Sequence, residues 1–444
     1  MKLLMVSLGC DKNRVDSERM LGILAAHGYT LTDDEEEAEV AVLNTCCFIE
    51  EAKKESIDNI FELARLKEEA KLRVLIVTGC MAQRYKDEIL DEIPEIDAIV
   101  GTTGIDSIAR AVDDALQGRR DSLMGEDIST DPDLGDMKRV ITTGGHYAYL
   151  KIAEGCDKRC TYCAIPDIRG HYRSYPMEKL VREAQELADQ GVQELILVAE
   201  ETTLYGRDLY KRKCLPELLR KLCRIEGIHW IRILYCYPEE IDDELIETIA
   251  AEPKICHYLD LPIQHASDSI LKAMHRRTTR ADLEVLIDTL RKRIPDIVLR
   301  TTLITGFPGE TEEDHEILKD FVRKEKFDRL GVFTYSKEEG TPAAAMKNQV
   351  PRKIRNRRYN ELMAMQQRIS RENGRSRIGS VMEAVVEGEL TEDGVYVART
   401  YGDAPNVDGL IFFPRERELL SGDFVSLEIT DASEYDLYGK EYMQ

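Results

Sequence analysis

A chain of 444 residues has room for two or three domains, each with a core of ordinary size. Its 84 acidic residues outnumber 61 basic ones and leave a formal net charge of −23, which argues against general affinity for nucleic-acid backbones and for a basic protein partner. No apolar run spans a bilayer and the apolar start at 1–10 is too short for a signal peptide, so a cytoplasmic chain without membrane contact is expected.

Eleven cysteines in a reducing compartment read as metal or catalytic ligands before disulfides. Residues 2–8 form a continuous apolar run, the pattern of a buried parallel strand. Helical periodicity follows over 15–27. Strands are predicted at 40–43, 74–77 and 97–100, with a charged helix at 50–66. Alternating strands and helices predict a doubly wound parallel sheet. Cys10, Cys46 and Cys80 each fall just past the end of a predicted strand. Ligands of open α/β sheets bind at that edge, so three loops deliver one thiolate each to the same side. The plainer alternative is three buried cysteines packing as small apolar residues. Cys47, beside Cys46, is read as structural.

Residues 118–140 are polar, acidic and punctuated by Gly and Pro, and are read as a linker. A strand at 147–152 then runs into Gly155-Cys156-Asp157-Lys158-Arg159-Cys160-Thr161-Tyr162-Cys163, a Cys-x3-Cys-x2-Cys loop. Three thiolates so close can hold one soft metal centre. A closed zinc site asks for a fourth ligand, and the nearest downstream histidine is His171, beyond Pro166 and Gly170. On a four-iron cluster, three thiolates leave one iron open to a substrate or cofactor.

Strands at 194–199, 229–235, 256–262, 297–304 and 328–334 alternate with helices at 177–190, 215–224, 242–251, 280–293 and 311–324. With the strand at 147–152 this makes six β/α units, enough for a partial barrel with its site at the strand ends. Four strand-end stretches are candidate contacts for a cofactor or substrate: Glu200-Glu201-Thr202-Thr203, Tyr235-Cys236-Tyr237-Pro238, Leu261-Pro262-Ile263-Gln264-His265, and Gly306-Phe307-Pro308-Gly309-Glu310. His265 reads equally as a structural hydrogen-bonding residue. Cys214, Cys223, Cys236 and Cys256 have no metal-like spacing.

Residues 351–375 open a basic helix, either docked on the acidic protein or facing RNA phosphates. From 376 the pattern turns to short strands at 381–386, 394–399, 409–413 and 424–429, a small antiparallel barrel of oligonucleotide-binding size. This region holds five Lys or Arg (377, 399, 415, 417, 440) against fifteen Asp or Glu. An RNA-binding barrel would carry a basic stripe, so this one is expected to meet a basic protein.

The Cys156–Cys160–Cys163 loop, with Tyr162 before the third cysteine, resembles the radical S-adenosylmethionine (SAM) superfamily. Leu8-Gly9-Cys10-Asp11-Lys12-Asn13, Asn44-Thr45-Cys46 and Thr78-Gly79-Cys80-Met81 are similar to the N-terminal domain of its methylthiotransferase family. The four strand-end stretches fit that family too, although Glu200 stands where its pattern often has Gln. The C-terminal barrel resembles its TRAM domain. The resemblance covers essentially the whole chain and implies domains at 1–118, 140–373 and 376–443. It implies two 4Fe-4S clusters, one held with SAM by Cys156, Cys160 and Cys163, the other by Cys10, Cys46 and Cys80. SAM cleavage to a 5′-deoxyadenosyl radical is implied at the first, and delivery of sulfur at the second.

The stretches 403–409 and 431–439 look most like the branch that methylthiolates the β-carbon of an aspartate in small-subunit ribosomal protein S-twelve. An external electron donor and sulfur donor are then required, and a monomer is expected. The alternatives are a transfer-RNA adenosine methylthiotransferase and a non-enzymatic metal-bearing RNA-binding factor.

Overall fold

The computed structural model describes residues 1–125, 127–129 and 138–442. The chain forms two compact units. One gathers Met1–Thr142, Ala153–Arg173 and Ser336–Ala344; the other gathers Thr143–Ile152, Ser174–Tyr335 and Ala345–Gln444.

Among the described residues, the first unit is built on six strands: β1 (Lys2–Ser7), β2 (Thr30–Leu31), β3 (Val40–Thr45), β4 (Val74–Gly79), β5 (Ala98–Val100) and β6 (Asp121–Leu123). Their order is β2-β1-β3-β4-β5-β6, and every pair is parallel. Strands β3 and β4 are buried on both faces, as their apolar runs at 40–43 and 74–77 require. Leu75 and Val77 face one apolar layer with Ile60, Leu63 and Met81. Val74 and Ile76 face the other with Leu24, Ile108 and Val112. The strand order reverses between β1 and β3, so the crevice at their carboxyl ends is the natural ligand position of this sheet.

The edge strands β2 and β6 are additions to the sequence reading: two and three residues are too few to show periodicity. Because β6 pairs with β5, the sheet continues past the expected boundary at 118. Of the expected linker, residue 126 and residues 130–137 lie outside the described residues. Arg139, near its end, is buried against Glu18 in the first unit, at 2.7 Å. The first helix spans Asp11–Ala26 and starts four residues before the apolar period, because Cys10 is its N-cap.

Strand β7 (Tyr147–Lys151) belongs to the second unit, and the short strands β8 (Ala153–Glu154) and β9 (Arg173–Ser174) flank the cysteine loop in sequence. Then follow β10 (Glu194–Val198), β11 (Trp230–Ile233), β12 (Ile255–Asp260), β13 (Val298–Thr305) and β14 (Arg329–Thr334). They form a parallel sheet in the order β14-β13-β12-β11-β10-β7, winding one way as a partial barrel does. A 25-residue helix, Arg352–Ser376, leads to a closed barrel of β15 (Val381–Leu390), β16 (Val395–Thr400), β17 (Ile411–Pro414), β18 (Phe424–Ala432) and β19 (Leu437–Glu441). Strand β19 was not legible, and its pairing with β17 is parallel in an otherwise antiparallel barrel. Residue 443, the expected end of the last domain, lies outside the described residues. The barrel falls in the same compact unit as the partial barrel, and the Cys156 loop in the unit of the first sheet.

Candidate active site

Cys10, Cys46 and Cys80 follow β1, β3 and β4, three adjacent strands at the switch point. Two glycines make this approach possible. Gly9 sits at φ +87°, and a Cβ there would lie 2.7 Å from the Cβ of Cys46. Gly79 sits at φ +90°, and its Cβ would lie 2.6 Å from the carbonyl oxygen of Thr45. Only glycine adopts that backbone in so little space.

Side chains from the same words lock the loops. Asn13 donates to the carbonyls of Leu8 and Thr45, both at 3.0 Å. Asn44 donates to the Asn13 carbonyl at 2.8 Å and to the Ser17 hydroxyl at 2.9 Å. Ser56 clamps Cys46 twice: its hydroxyl accepts from the Cys46 amide at 3.0 Å and donates to the Cys46 carbonyl at 2.8 Å. Burial raises the Cys46 thiol above its ordinary value, and the neighbouring Cys10 raises it further. Burial raises the Cys80 thiol strongly; Cys10 and Cys46 add to the rise, while Arg169 opposes it. The three sulfurs are therefore electrostatic neighbours. The Cys47 carbonyl accepts from Arg84 at 3.2 Å, and burial pushes its thiol up to about 11.

The second cysteine set lies in the same compact unit. Gly155, at φ +73°, turns the chain against Gly170 and His171; a Cβ would lie 2.2 Å from the His171 carbonyl oxygen. The Cys156 amide donates to the Gly170 carbonyl at 3.2 Å, and the Cys163 amide to the Cys160 carbonyl at 3.1 Å. Arg159 takes the left-handed φ of +56° that the tight loop requires. Cys156 and Cys160 are buried and Cys163 half-buried. His171 pairs with Asp157 at 2.8 Å on the exposed rim. None of the eleven cysteines is in a disulfide. Among the described residues no three Cys, His, Asp or Glu side chains surround one point as a single ion requires. A cluster asks for something else, one thiolate for each ligated iron, and two sets of three on strand-end or loop positions fit that demand.

Arg169, in the segment that follows the second set, reaches the Cys80 sulfur of the first, and the sequence reading missed it. It ends the helix Ile165–Arg169 that follows Cys163, while Ala164 and Ile168 pack into the apolar layer of the first sheet. Its guanidinium is 2% exposed and donates to Asp16 at 2.7 Å, Glu154 at 3.2 Å, Asn13 at 2.5 Å and the Cys80 sulfur at 3.6 Å.

In the second unit, the four candidate stretches follow β10, β11, β12 and β13, four neighbouring strands. Tyr235 and Gln264 hold the rare positive φ values of +59° and +73° there. The His265 Nδ1 accepts from the Ser267 amide at 2.9 Å, and burial lowers its pKa to about 3. Glu310 braces its own loop, accepting from the Gly306 and Phe307 amides and from Arg358 at 3.0 Å.

The stretch 403–409 corrects the expectation of a surface for a basic partner. Asp403 is buried and pairs with Arg329 of β14. Asp408 accepts from Ala404 at 2.9 Å and lies 3.5 Å from Arg300 of β13. Both acids serve internal pairing. The basic helix also engages its own unit: Arg357 pairs with Glu312 at 2.6 Å, Arg358 with Glu310, and Arg371 with Glu434 at 3.8 Å.

Three family descriptions match in order: uncharacterized protein family UPF0004 over residues 2–101, the radical SAM superfamily over 150–322, and the TRAM domain over 378–441. The cobalamin- and cluster-bound radical SAM methyltransferase TsrM of Kitasatospora setae shares the fold with a TM-score of 0.58 at 16% identity, over 77% of this chain and 73% of that one. Fold and cysteine placement together define the class, a radical SAM enzyme with an additional N-terminal domain. The chain is 60% identical to the "Ribosomal protein uS12 methylthiotransferase RimO" of Lachnoclostridium phytofermentans, over 99% of both chains. It is 51% identical to the protein of the same name from Acetivibrio thermocellus, over 99% of this chain and 98% of that one. The chain belongs to the RimO family of methylthiotransferases.

Proposed function

We propose that this chain is a radical SAM methylthiotransferase that adds a methylthio group to the β-carbon of an aspartate in ribosomal protein uS12. The observation that carries the reading is its identity of 60% over 99% of a relative of that name. Cys156, Cys160 and Cys163 would hold the 4Fe-4S cluster that binds SAM; Cys10, Cys46 and Cys80 would hold the second. When bound, these groups supply the electron that cleaves SAM and the site from which sulfur is delivered.

The chain's own residues supply position. Gly9 and Gly79 let the three N-terminal thiols approach, and Asn13, Asn44 and Ser56 fix their loops. The tight turn at Gly155 and Arg159 gathers the other three. Turnover draws on an external electron donor and an external sulfur donor. The enzyme acts as a monomer in the cytoplasm; no helix among the described residues is long and apolar enough to cross a membrane.

Mass spectrometry of uS12 from cells with and without the gene tests the reading. A methylthio mass increment on one aspartate that disappears with the gene supports it. An unchanged uS12 accompanied by loss of a methylthioadenosine from transfer RNA would replace it with the transfer-RNA reading.

A further inference from the structure

The N-terminal half of the helix Asp11–Ala26 buries polar side chains where an ordinary packing helix buries apolar ones: Lys12, Asn13, Asp16, Ser17 and Glu18 are all buried, while its C-terminal half buries Met20, Leu21, Ile23 and Leu24. A buried guanidinium is tolerated only when its donors are satisfied and its charge is balanced. Arg169 meets both conditions through Asp16, Glu154 and Asn13, and still directs one donor, Nη2, at the Cys80 sulfur. Asn13 also faces that sulfur, its Oδ1 3.7 Å away, while its amide nitrogen holds the loops of Cys10 and Cys46. One cation thus touches a proposed cluster ligand and belongs to the short segment that follows the other ligand set.

We propose that Arg169 tunes the cluster held by Cys10, Cys46 and Cys80, donating a charge-assisted hydrogen bond to the Cys80 sulfur and raising the cluster's reduction potential. The proposal rests on the ligand assignment above. Hydrogen bonds to ligand sulfur and nearby positive charge both stabilise the reduced, more negative cluster. The carboxylates of Asp16 and Glu154 fix where the guanidinium sits, so the arrangement is set by the fold before any cluster is loaded. Arg169 is a positioning residue, acting through Cys80.

The test uses full-length protein reconstituted anaerobically in a Cys156→Ala/Cys160→Ala/Cys163→Ala background, so that only the N-terminal cluster is observed. Arg169→Gln, Arg169→Lys and the comparison Arg139→Gln, which removes the Glu18 ion pair on the same helix, are measured by redox titration followed by electron paramagnetic resonance. Arg169→Gln is expected to keep its iron, to shift the midpoint to more negative values, and to raise the iron–cysteine stretching frequency in resonance Raman spectra. Arg169→Lys keeps the charge and is expected to shift less; it also serves as the readout if the Gln variant does not fold. Arg139→Gln is expected to lower the melting temperature without moving the midpoint. An unchanged midpoint and Raman spectrum in both Arg169 variants, with iron retained, would overturn the proposal and leave the ligand assignment intact. Absence of iron in the parent background would overturn the ligand assignment instead.

Discussion

Asp408 accepts a hydrogen bond of 2.7 Å from the phenol of Tyr258, and this bond joins the C-terminal barrel to the parallel sheet within one compact unit. Two further pairs cross the same contact. Arg329 holds Asp403, and Arg399 donates to Glu194 at 2.7 Å while Arg232 donates to the other oxygen of the same carboxylate at 2.7 Å. Removing one member of a buried pair leaves an uncompensated charge and costs about 3–5 kcal/mol. Asp403→Ala is expected to destabilise by that amount, and Arg399→Ala by less, since Arg232 still pairs with Glu194. The single tryptophan, Trp230, packs edge-on against Phe424 of the barrel with ring centroids 4.9 Å apart, so urea unfolding followed by its fluorescence reads this contact directly.

Acid is expected to weaken a second polar joint. Asp314 forms the capping box of the helix Glu312–Glu325 with Thr311, and also accepts from Ser267 at 2.5 Å and Ser269 at 2.8 Å. Burial works to raise its pKa, but these hydrogen bonds outweigh it and hold the pKa at about 2, below the ordinary 3.8. A depressed carboxylate pKa stabilises the fold above the unfolded value and loses that contribution as pH falls through the folded one. Asp314→Asn should therefore cost about 1 kcal/mol near neutral pH, the worth of a helix cap. The difference from the parent should shrink as pH falls from about 4 to about 2, as measured by urea midpoints across that range.

The two cysteine sets should separate in their iron. Reconstituted protein is expected to bind about eight irons, two four-iron clusters. Cys156→Ala/Cys160→Ala/Cys163→Ala should keep about half of that iron and make no 5′-deoxyadenosine. Cys10→Ala/Cys46→Ala/Cys80→Ala should lose the other half, still cleave SAM, and transfer no methylthio group. Cys47→Ala should leave the iron content unchanged, because Cys46 is the member of the pair assigned as a ligand. Iron assay and product chromatography check all three.

Substrate recognition should be tested on the exposed acids of the barrel. Glu392, Asp393, Glu416 and Glu418 are exposed. Converting them to lysine is expected to slow association with a basic ribosomal protein. The effect should diminish as salt rises, since exposed charges are screened beyond about 8 Å at physiological ionic strength. Transfer-RNA binding that tightened on this reversal, with no change towards uS12, would count against a protein substrate. Reversal of Asp403 or Asp408 would instead report on folding.

The interior of both sheets was legible because β3, β4 and β10 each carry an apolar run of four residues, at 40–43, 74–77 and 195–198. Cys10, Cys46 and Cys80 follow the carboxyl ends of the adjacent strands β1, β3 and β4, where the strand pattern of the sequence puts them. Strands β2, β6 and β19 were not legible: they are short and polar, and their pairing partners fix them. Arg169 was hidden for a different reason. Its partners Asp16 and Asn13 lie 153 and 156 residues away, and no local pattern encodes such a contact. The available signal was Asn13, Asp16 and Ser17 on one face of a helix whose other neighbours are apolar. The acids at 403 and 408 misled because composition reports charge and not its direction; their partners, Arg329, Arg300 and Tyr258, come from strands far earlier in the chain.

The first compact unit is stitched from three stretches of chain, and the last of them is Ser336–Ala344. Glu338 in that stretch pairs with Lys53 at 2.7 Å and with Arg84 at 3.2 Å. Domains generally fold as they leave the ribosome, N-terminal part first. Here the N-terminal sheet can form early, but its buried acids Asp16 and Glu18 must wait for Arg169 and Arg139, and Lys53 and Arg84 must wait for Glu338. The nascent protein therefore spends most of its synthesis with an unfinished first unit. A stalled chain ending before residue 336 should be open to protease at Lys53 and Arg84, sites that the full-length chain holds in ion pairs.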